Sequence, residues 1–290
     1  MNKSATATTE AGLYSPPQIN RRLPKKEPRP RQGKSMTIAA GFRCRDGVVL
    51  CTDSEHTAGQ SKFYDHKIFQ AEAANAVMYV AGAGDDLYIR SAAREIESEV
   101  QGKSLSFDQI EVAAEKAVSM IYKEHFAIAH QASDPSAPTM TLLLAAQVEG
   151  EKEARLYRIR ETGGITQVGP GVSVVGTEAA ESLMRALSDL FFGGYSQSVY
   201  AMRYLAVHMI HRVIRSASYC GGSPQIACLT DQGARYVETT ADADLGHDYL
   251  AGTFLNMPDI LEAHPESPPG NCALRFPAGR TAELKSSNKV

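Results

Sequence analysis

The 290-residue sequence predicts an α+β protein built as a four-layer αββα sandwich, with two sheets stacked face to face and a helix pair outside each. Three observations predict it. Strand-like runs arrive in groups, and helix-like stretches arrive as two consecutive pairs between those groups. Each helical stretch also carries one apolar stripe that must be buried against a sheet. A doubly wound sheet or a βα barrel would instead place a helix after nearly every strand.

The elements follow in order. TIAAGFRC (37–44) and VVLCTD (48–53) are β-rich runs joined by Arg45-Asp46-Gly47, a tight-turn signal that predicts a hairpin. KIFQAE (67–72) and AVMYVAGAG (76–84) predict a further strand pair, and Asp85 can cap the helix that follows. Tyr88, Ala92, Ile96 and Val100 recur every four residues across 85–101. Ile110, Ala114, Ala117, Ile121 and His125 form a similar stripe across 106–130, which predicts two amphipathic helices. Strands are expected over 139–147, 154–160, 165–168 and 172–176 from alternation and β-branched content. A second helix pair covers 182–191, with Leu183, Leu187 and Leu190, and 196–217, with Val199, Met202, Ala206, Met209 and Val213. Gly221-Gly222 breaks that pattern, and PQIACLTD and ARYVET close the fold as strands.

Both ends read differently from the middle. Residues 1–36 hold eight basic side chains against Glu10 and Glu27, an excess of six positive charges that leaves nine negative for the rest of the net -3 chain. Five prolines and no apolar period make this segment a disordered basic extension or propeptide, with solvation favoured over nucleic-acid binding. The folded domain is 37–240, and 241–290 reads as an irregular tail with one short helical stretch around Pro258 to Ala263. The longest apolar run, near Thr141 to Ala146, is far short of the ~18 residues of a membrane span. The start lacks the apolar core of a secretion signal. Five widely spaced cysteines suit a reducing, cytoplasmic setting rather than a disulfide framework. The histidine pairs His208/His211 and His125/His130 lack acidic or Cys partners at ligand spacing, so no metal or other cofactor is expected.

Several pieces stand in a telling order. They are Met36-Thr37-Ile38-Ala39-Ala40-Gly41, Asp46-Gly47-Val48-Val49-Leu50, Asp53-Ser54, Lys67-Ile68-Phe69, Ala81-Gly82-Ala83-Gly84, Val175-Gly176-Thr177 and Ser218-Tyr219-Cys220-Gly221-Gly222. Together they resemble a proteasome β subunit, an N-terminal-nucleophile (Ntn) hydrolase, across roughly 37–240. Singly, Thr37 is also an ordinary strand residue, Asp53 a turn former and Lys67 a strand-edge charge. Their order and spacing carry the resemblance.

The resemblance implies amide hydrolysis by a Thr hydroxyl activated by its own α-amine. It makes Thr37 the nucleophile, with Asp53 and Lys67 arranging it and Gly82 offering a backbone N–H to the oxyanion. An α-amine, with a reference pKa of about 7.7–8.0, is largely neutral near physiological pH and can take the hydroxyl proton. The family's Lys stands two residues farther from its Asp, so Lys67 implies a shortened loop and Lys62 is the fallback. Thr177 stands where active subunits have Ser, and Ala217 and Cys220 stand where they have Asp and Ser. The carboxylate that supports the amine is thus missing. Substrate-pocket positions map to His56, Asp65 and Val80, and Asp65 would favour basic side chains.

These features imply a threonine peptidase acting on peptides or unfolded protein in a homo-oligomeric ring, with an ATP-dependent unfoldase as a candidate partner and neither nucleic acid nor membrane involved. The second reading is a non-catalytic scaffold subunit. A Cys-type amidase would need Cys at position 37, where Thr stands.

Overall fold

The computed structural model describes residues 37–58, 61–132, 134, 137–191, 197–217, 220–233, 235–238, 273–275 and 281–283. The extension 1–36 and the helical stretch expected near Pro258 lie outside them. In chain order the first strands are β1 (Ile38–Cys44), β2 (Gly47–Thr52), β3 (Glu55–Ala58), β4 (Ser61–Tyr64), β5 (Phe69–Glu72) and β6 (Ala76–Gly84). The first helical layer is α1 (Asp86–Val100), α2 (Phe107–Ile121), a π-helical turn (Tyr122–Phe126) and α3 (Ala127–Gln131). Then come β7 (Met140–Val148), β8 (Arg155–Arg160), β9 (Ile165–Val168), β10 (Gly171–Gly176), α4 (Glu178–Phe191), α5 (Val199–Ser216), β11 (Gln225–Thr230) and β12 (Arg235–Glu238).

Two five-stranded antiparallel sheets result, ordered β10-β1-β2-β11-β12 and β5-β6-β7-β8-β9. Alternation along each strand sorts the side chains into layers. On β1, Ile38, Ala40, Phe42 and Cys44 pack under α4 and α5, while Ala39 faces the other sheet. On β6, Met78 and Val80 pack under α1 and α2, while Val77, Tyr79 and Ala81 face inward. The inter-sheet layer is closed by Leu50, Leu143, Leu156 and Leu229, each worth about 1.5–3 kcal/mol when fully buried. This is the expected αββα sandwich. Both faces of β1 and β2 are buried, which is why their sequences read as continuous apolar runs rather than alternating ones.

Local chemistry sets the element ends. Asp85 caps α1 by accepting the Leu87 N–H, and Ser106 and Gln109 form a capping box on α2. Asp46, in the β1–β2 turn, accepts the Val199 N–H at 2.7 Å and ties that turn to the start of α5.

Several expectations need correction. The strand expected from Lys67 starts at Phe69, and the β3–β4 hairpin has no counterpart in the predicted pattern. The single helix expected over 106–130 is interrupted by the π turn. That turn takes up an extra residue, so the buried phase moves from His125, which is exposed, to Phe126, which is fully buried. The helix expected over 182–191, α4, begins earlier, at Glu178, and Leu190 at its far end is exposed. Within the stretch read as irregular, β13 (Ala273–Arg275) and β14 (Thr281–Glu283) pair as a short ladder.

Candidate active site

Thr37 immediately precedes β1, and Asp53 immediately follows β2, so the β1–β2 hairpin brings them together across 16 residues of chain. The Thr37 hydroxyl donates to Asp53 Oδ1 at 2.6 Å and accepts from Lys67 Nζ at 2.6 Å. Lys67 Nζ also donates to Asp53 Oδ1 at 2.9 Å. All three side chains are buried, with Asp53 fully so. A buried ion pair is tolerable only where further hydrogen bonds serve its oxygens. Here Asp53 accepts the Ile38 N–H at 3.3 Å and the Gly221 N–H at 3.1 Å. The backbone of Lys67 is fixed as well, because its N–H donates to Gln225 Oε1 at 2.8 Å while Gln225 Nε2 donates to the Asp65 carbonyl at 2.8 Å.

Two glycine positions are dictated by these approaches. A Cβ at Gly221 would lie 2.1 Å from Glu55 Oε2. Gly222 has φ +74 and leaves no room beside Ser54. Only this Gly-Gly loop can reach Asp53 and also accept the Ser54 and Glu55 N–H groups at the Gly221 carbonyl. Gly82 lies in β6 against Leu142, and a Cβ there would meet the Thr141 carbonyl at 2.9 Å. Extending the β5–β6 register by two residues sets Lys67 opposite Gly82.

A narrow cleft is lined by Thr37, Lys67, Gly82, His56, Gly84, Asp86 and Ile89. His56 is 2% exposed, stacks on Phe63 across the β3–β4 ladder, and holds Nδ1 at ion-pair distance, 3.2 Å, from Asp86 Oδ1. Burial pushes the Asp86 carboxyl up, but His56 and Arg90 outweigh it and hold it below the usual carboxylate range. A second, roomier cavity borders Thr37 on the side of Thr139, Thr177 and Glu178.

The remaining predicted residues are placed less centrally. The Thr177 hydroxyl accepts the Ala180 N–H at 3.4 Å, capping α4 while lining the roomier cavity. Cys220 is buried close to Asp53, and its thiol is pushed up to about 12, chiefly by burial and then by the Asp53 charge. It is a neutral thiol. Ala217 packs at the edge of the α4–α5 core. Asp65 is exposed and its carboxylate is paired with Arg90 at 2.7 Å, which leaves little of its charge for a ligand. Val80 is fully buried beneath α1 and α2, with no surface to offer. The fallback Lys62 sits on β4 and pairs with Glu55 at 2.8 Å. Residues that sequence reasoning missed are Gln225, Asp86, Phe63 and the Gly221 N–H. A polar Gln opening an otherwise apolar strand and a second Asp straight after the Asp85 cap were the available signals. Among the described residues there is no cluster of His, Cys, Asp or Glu able to hold a metal, and no helix long and apolar enough to cross a membrane.

Two antiparallel sheets stacked between helix pairs, with a buried Thr-Asp-Lys cluster at the strand ends, define a proteasome-type protein. The proteasome subunit family model matches residues 34–229, most of the chain, and this chain belongs to that family. Its structure is similar to a Gly-1 mutant of Anbu from Hyphomicrobium sp. strain MC1, with TM-score 0.62, 14% identity, and 80% of this chain and 98% of that chain covered. It is also similar to Anbu, described as an ancestral beta-subunit, from Yersinia bercovieri, with TM-score 0.61, 17% identity and coverage of 81% and 100%. A third likeness is to the helical assembly of the Anbu complex from Pseudomonas aeruginosa, with TM-score 0.58, 18% identity and coverage of 80% and 99%. At these identities the likeness speaks for the fold. No curated protein matches the sequence.

Proposed function

We propose that this chain is a threonine peptidase that cleaves peptide bonds with Thr37 as its N-terminal nucleophile. The observation that carries this reading is the Thr37 hydroxyl held at 2.6 Å from both Lys67 Nζ and Asp53 Oδ1 at the foot of a cleft. The ammonium, paired with Asp53, favours the developing alkoxide. The Thr37 Oγ1 attacks the substrate carbonyl while its proton passes to the α-amine of Thr37, and the Gly82 N–H takes the oxyanion, a donor typically worth about 3–4 kcal/mol. The C–N bond then breaks as the leaving nitrogen receives that proton, and water hydrolyses the resulting ester to free the hydroxyl again.

This chemistry requires a free α-amine, because the nitrogen of Thr37 joined to Met36 is an amide without useful basicity. Residues 1–36 therefore act as an extension that the active species lacks, 37–240 as the catalytic domain and 241–290 as an appended tail. Either cleavage of the Met36–Thr37 bond or translation from Met36 followed by Met removal would expose Thr37. N-terminal sequencing of the native protein should find Thr37 first. An oligomeric assembly fits family membership and the assembled state of one similar structure. Ala217, which supplies a methyl where an amine-supporting carboxylate is expected, favours the second reading of a non-catalytic scaffold subunit. The two separate on treatment with a Thr-directed electrophile and peptide mass spectrometry. An adduct on Thr37 supports the peptidase, whereas modification elsewhere, or none, supports the scaffold.

A further inference from the structure

Two hollows border Thr37, and they differ sharply in room. The one walled by Thr139, Thr177 and Glu178 holds about 350 Å³. The one between Lys67, Gly82, His56 and Asp86 holds about 10 Å³, roughly the room of a single water. His56 is what fills it. The ring lies flat on Phe63, with centroids 5.1 Å and planes 10° apart, and it faces Asp86, which Arg90 Nε holds at 2.7 Å. Arg90 is in turn held by Asp65 at 2.7 Å. With partners on its stacked face and at Nδ1, the ring is hindered from swinging aside. Both ring nitrogens are buried without a regular hydrogen bond among the described residues; Nδ1 has the Asp86 carboxylate at ion-pair distance, and Nε2 is left without a partner. Buried polar atoms are rarely left so, and one at the wall of a cleft calls for a polar group from outside.

The geometry points to a substrate class: peptides whose residue at the attacked carbonyl is very small, with serine preferred, and alanine and glycine accepted. The inference rests on Thr37 being the nucleophile. Gly82, the oxyanion donor, lies in the wall of the smaller hollow. With the carbonyl oxygen on Gly82, the proposal seats the side chain of the residue that bears this carbonyl in the hollow whose wall Gly82 shares. The larger cavity is left to the departing chain. One heavy atom beyond Cβ is all the smaller hollow admits. A serine hydroxyl can donate to a neutral Nε2 or accept from a protonated one, so it satisfies His56 in either state. His56 is thus the specificity-determining residue, and Asp86 and Phe63 are its positioning residues.

The test uses the native assembled protein and capped peptides that differ only at the residue before the cleaved bond, with kcat/KM measured for Ser, Ala, Leu and Tyr. Ser should lead, with Ala about 5- to 10-fold behind for want of the hydrogen bond. Leu and Tyr should trail by on the order of 100-fold, since each methylene too many in a tight pocket is costly. His56→Ala should erase the Ser-over-Ala preference and raise the rate on Leu. Phe63→Ala, at a half-exposed position where the fold is little affected, should relax the size limit part of the way. Leu or Tyr peptides cleaved as fast as Ala by the native protein would overturn the inference, as would a His56→Ala profile identical to the parent. A generic small electrophile that labels Thr37 while no small-residue peptide is cleaved would sink the specificity alone. Absence of both labelling and cleavage would remove the nucleophile assignment and the inference with it.

Discussion

The site draws on two stretches of chain that contribute in different ways. Residues 37–84 supply the hydroxyl of Thr37, both side chains that hydrogen-bond it, Asp53 and Lys67, and the cleft wall at His56. Residues 177–225 contribute mostly backbone and support, through the Gly221 N–H on Asp53 and Gln225 clamping Lys67. Where a second set of polar side chains would be expected there is a methyl at Ala217, a neutral thiol at Cys220, and a Thr177 hydroxyl engaged by the α4 terminus. Polarisation of the hydroxyl is therefore complete within the first stretch. Support for the proposed amine is thin in the second.

The largest effect should come from Thr37→Ala, which ought to leave a folded, assembled protein with no peptide cleavage above background. Thr37→Ser should keep part of the rate. Steady-state kinetics beside size-exclusion chromatography would decide it, and full activity in the alanine variant would end the proposal.

Next come the partners in the first stretch. Lys67→Ala and Lys67→Arg should each lower kcat/KM about 10²–10³-fold, since a planar guanidinium cannot replace a compact ammonium between two oxygens. Lys62→Ala, at a half-exposed pair, should be nearly silent, and the reverse ranking would move the site to Lys62. Asp53→Ala strands a buried ammonium and two backbone donors, so urea unfolding should show a loss of about 3–5 kcal/mol.

The second stretch should respond more weakly. If the lack of a carboxylate at position 217 limits the amine, Ala217→Asp should raise turnover several-fold and shift the acid limb of the pH–rate profile, and an unchanged profile would remove that explanation. Smallest of all is the Cys220 thiol, whose folded-state value of about 12 stands above its ordinary 8.5. A raised thiol leaves stability intact below pH ~8.5, and the unfolded chain gains by ionising as pH rises towards 12. Melting temperature should thus fall between pH 8 and pH 10, and Cys220→Ala should lessen that fall. Cys44, Cys51 and Tyr157, also pushed up by burial, would keep part of it.

How much of this could be read from sequence divides along physical lines. The layers were legible because paired stripes such as Ala92/Ile96/Val100 and Met202/Ala206/Met209 demand a sheet to cover them. Thr37, Asp53 and Lys67 were picked out by the resemblance that their order and spacing carry; the β1–β2 hairpin accounts for Thr37 meeting Asp53, while Lys67 arrives only after the β3–β4 hairpin. The β3–β4 hairpin was not legible, since SKFY is polar and aromatic with no apolar period and the contact that crosses it, the His56–Phe63 stack, joins two residues that no pattern links. The phase shift at the π turn was hidden because His125 fits an unbroken helical stripe as well as Phe126 fits a broken one. Pairing of Asp65 with Arg90 was hidden for another reason: their approach depends on how α1 is set beside the β4–β5 loop.

Thr37 and Asp53 hang from one sheet, while Lys67 leads into the edge strand β5 of the other and Gly82 lies on its neighbour β6. Neither sheet alone contains a reactive hydroxyl. The inter-sheet leucines and alanines that exclude water also bring the ammonium to the oxygen, so on the proposed mechanism a half-folded chain, however many strands it has formed, would be chemically inert. On that mechanism, a newborn molecule could not attack its neighbours before it is finished. Labelling of Thr37 by an electrophile during refolding would therefore keep time with sheet docking rather than with the earlier gain of helix, and would serve as a clock for the last step of maturation.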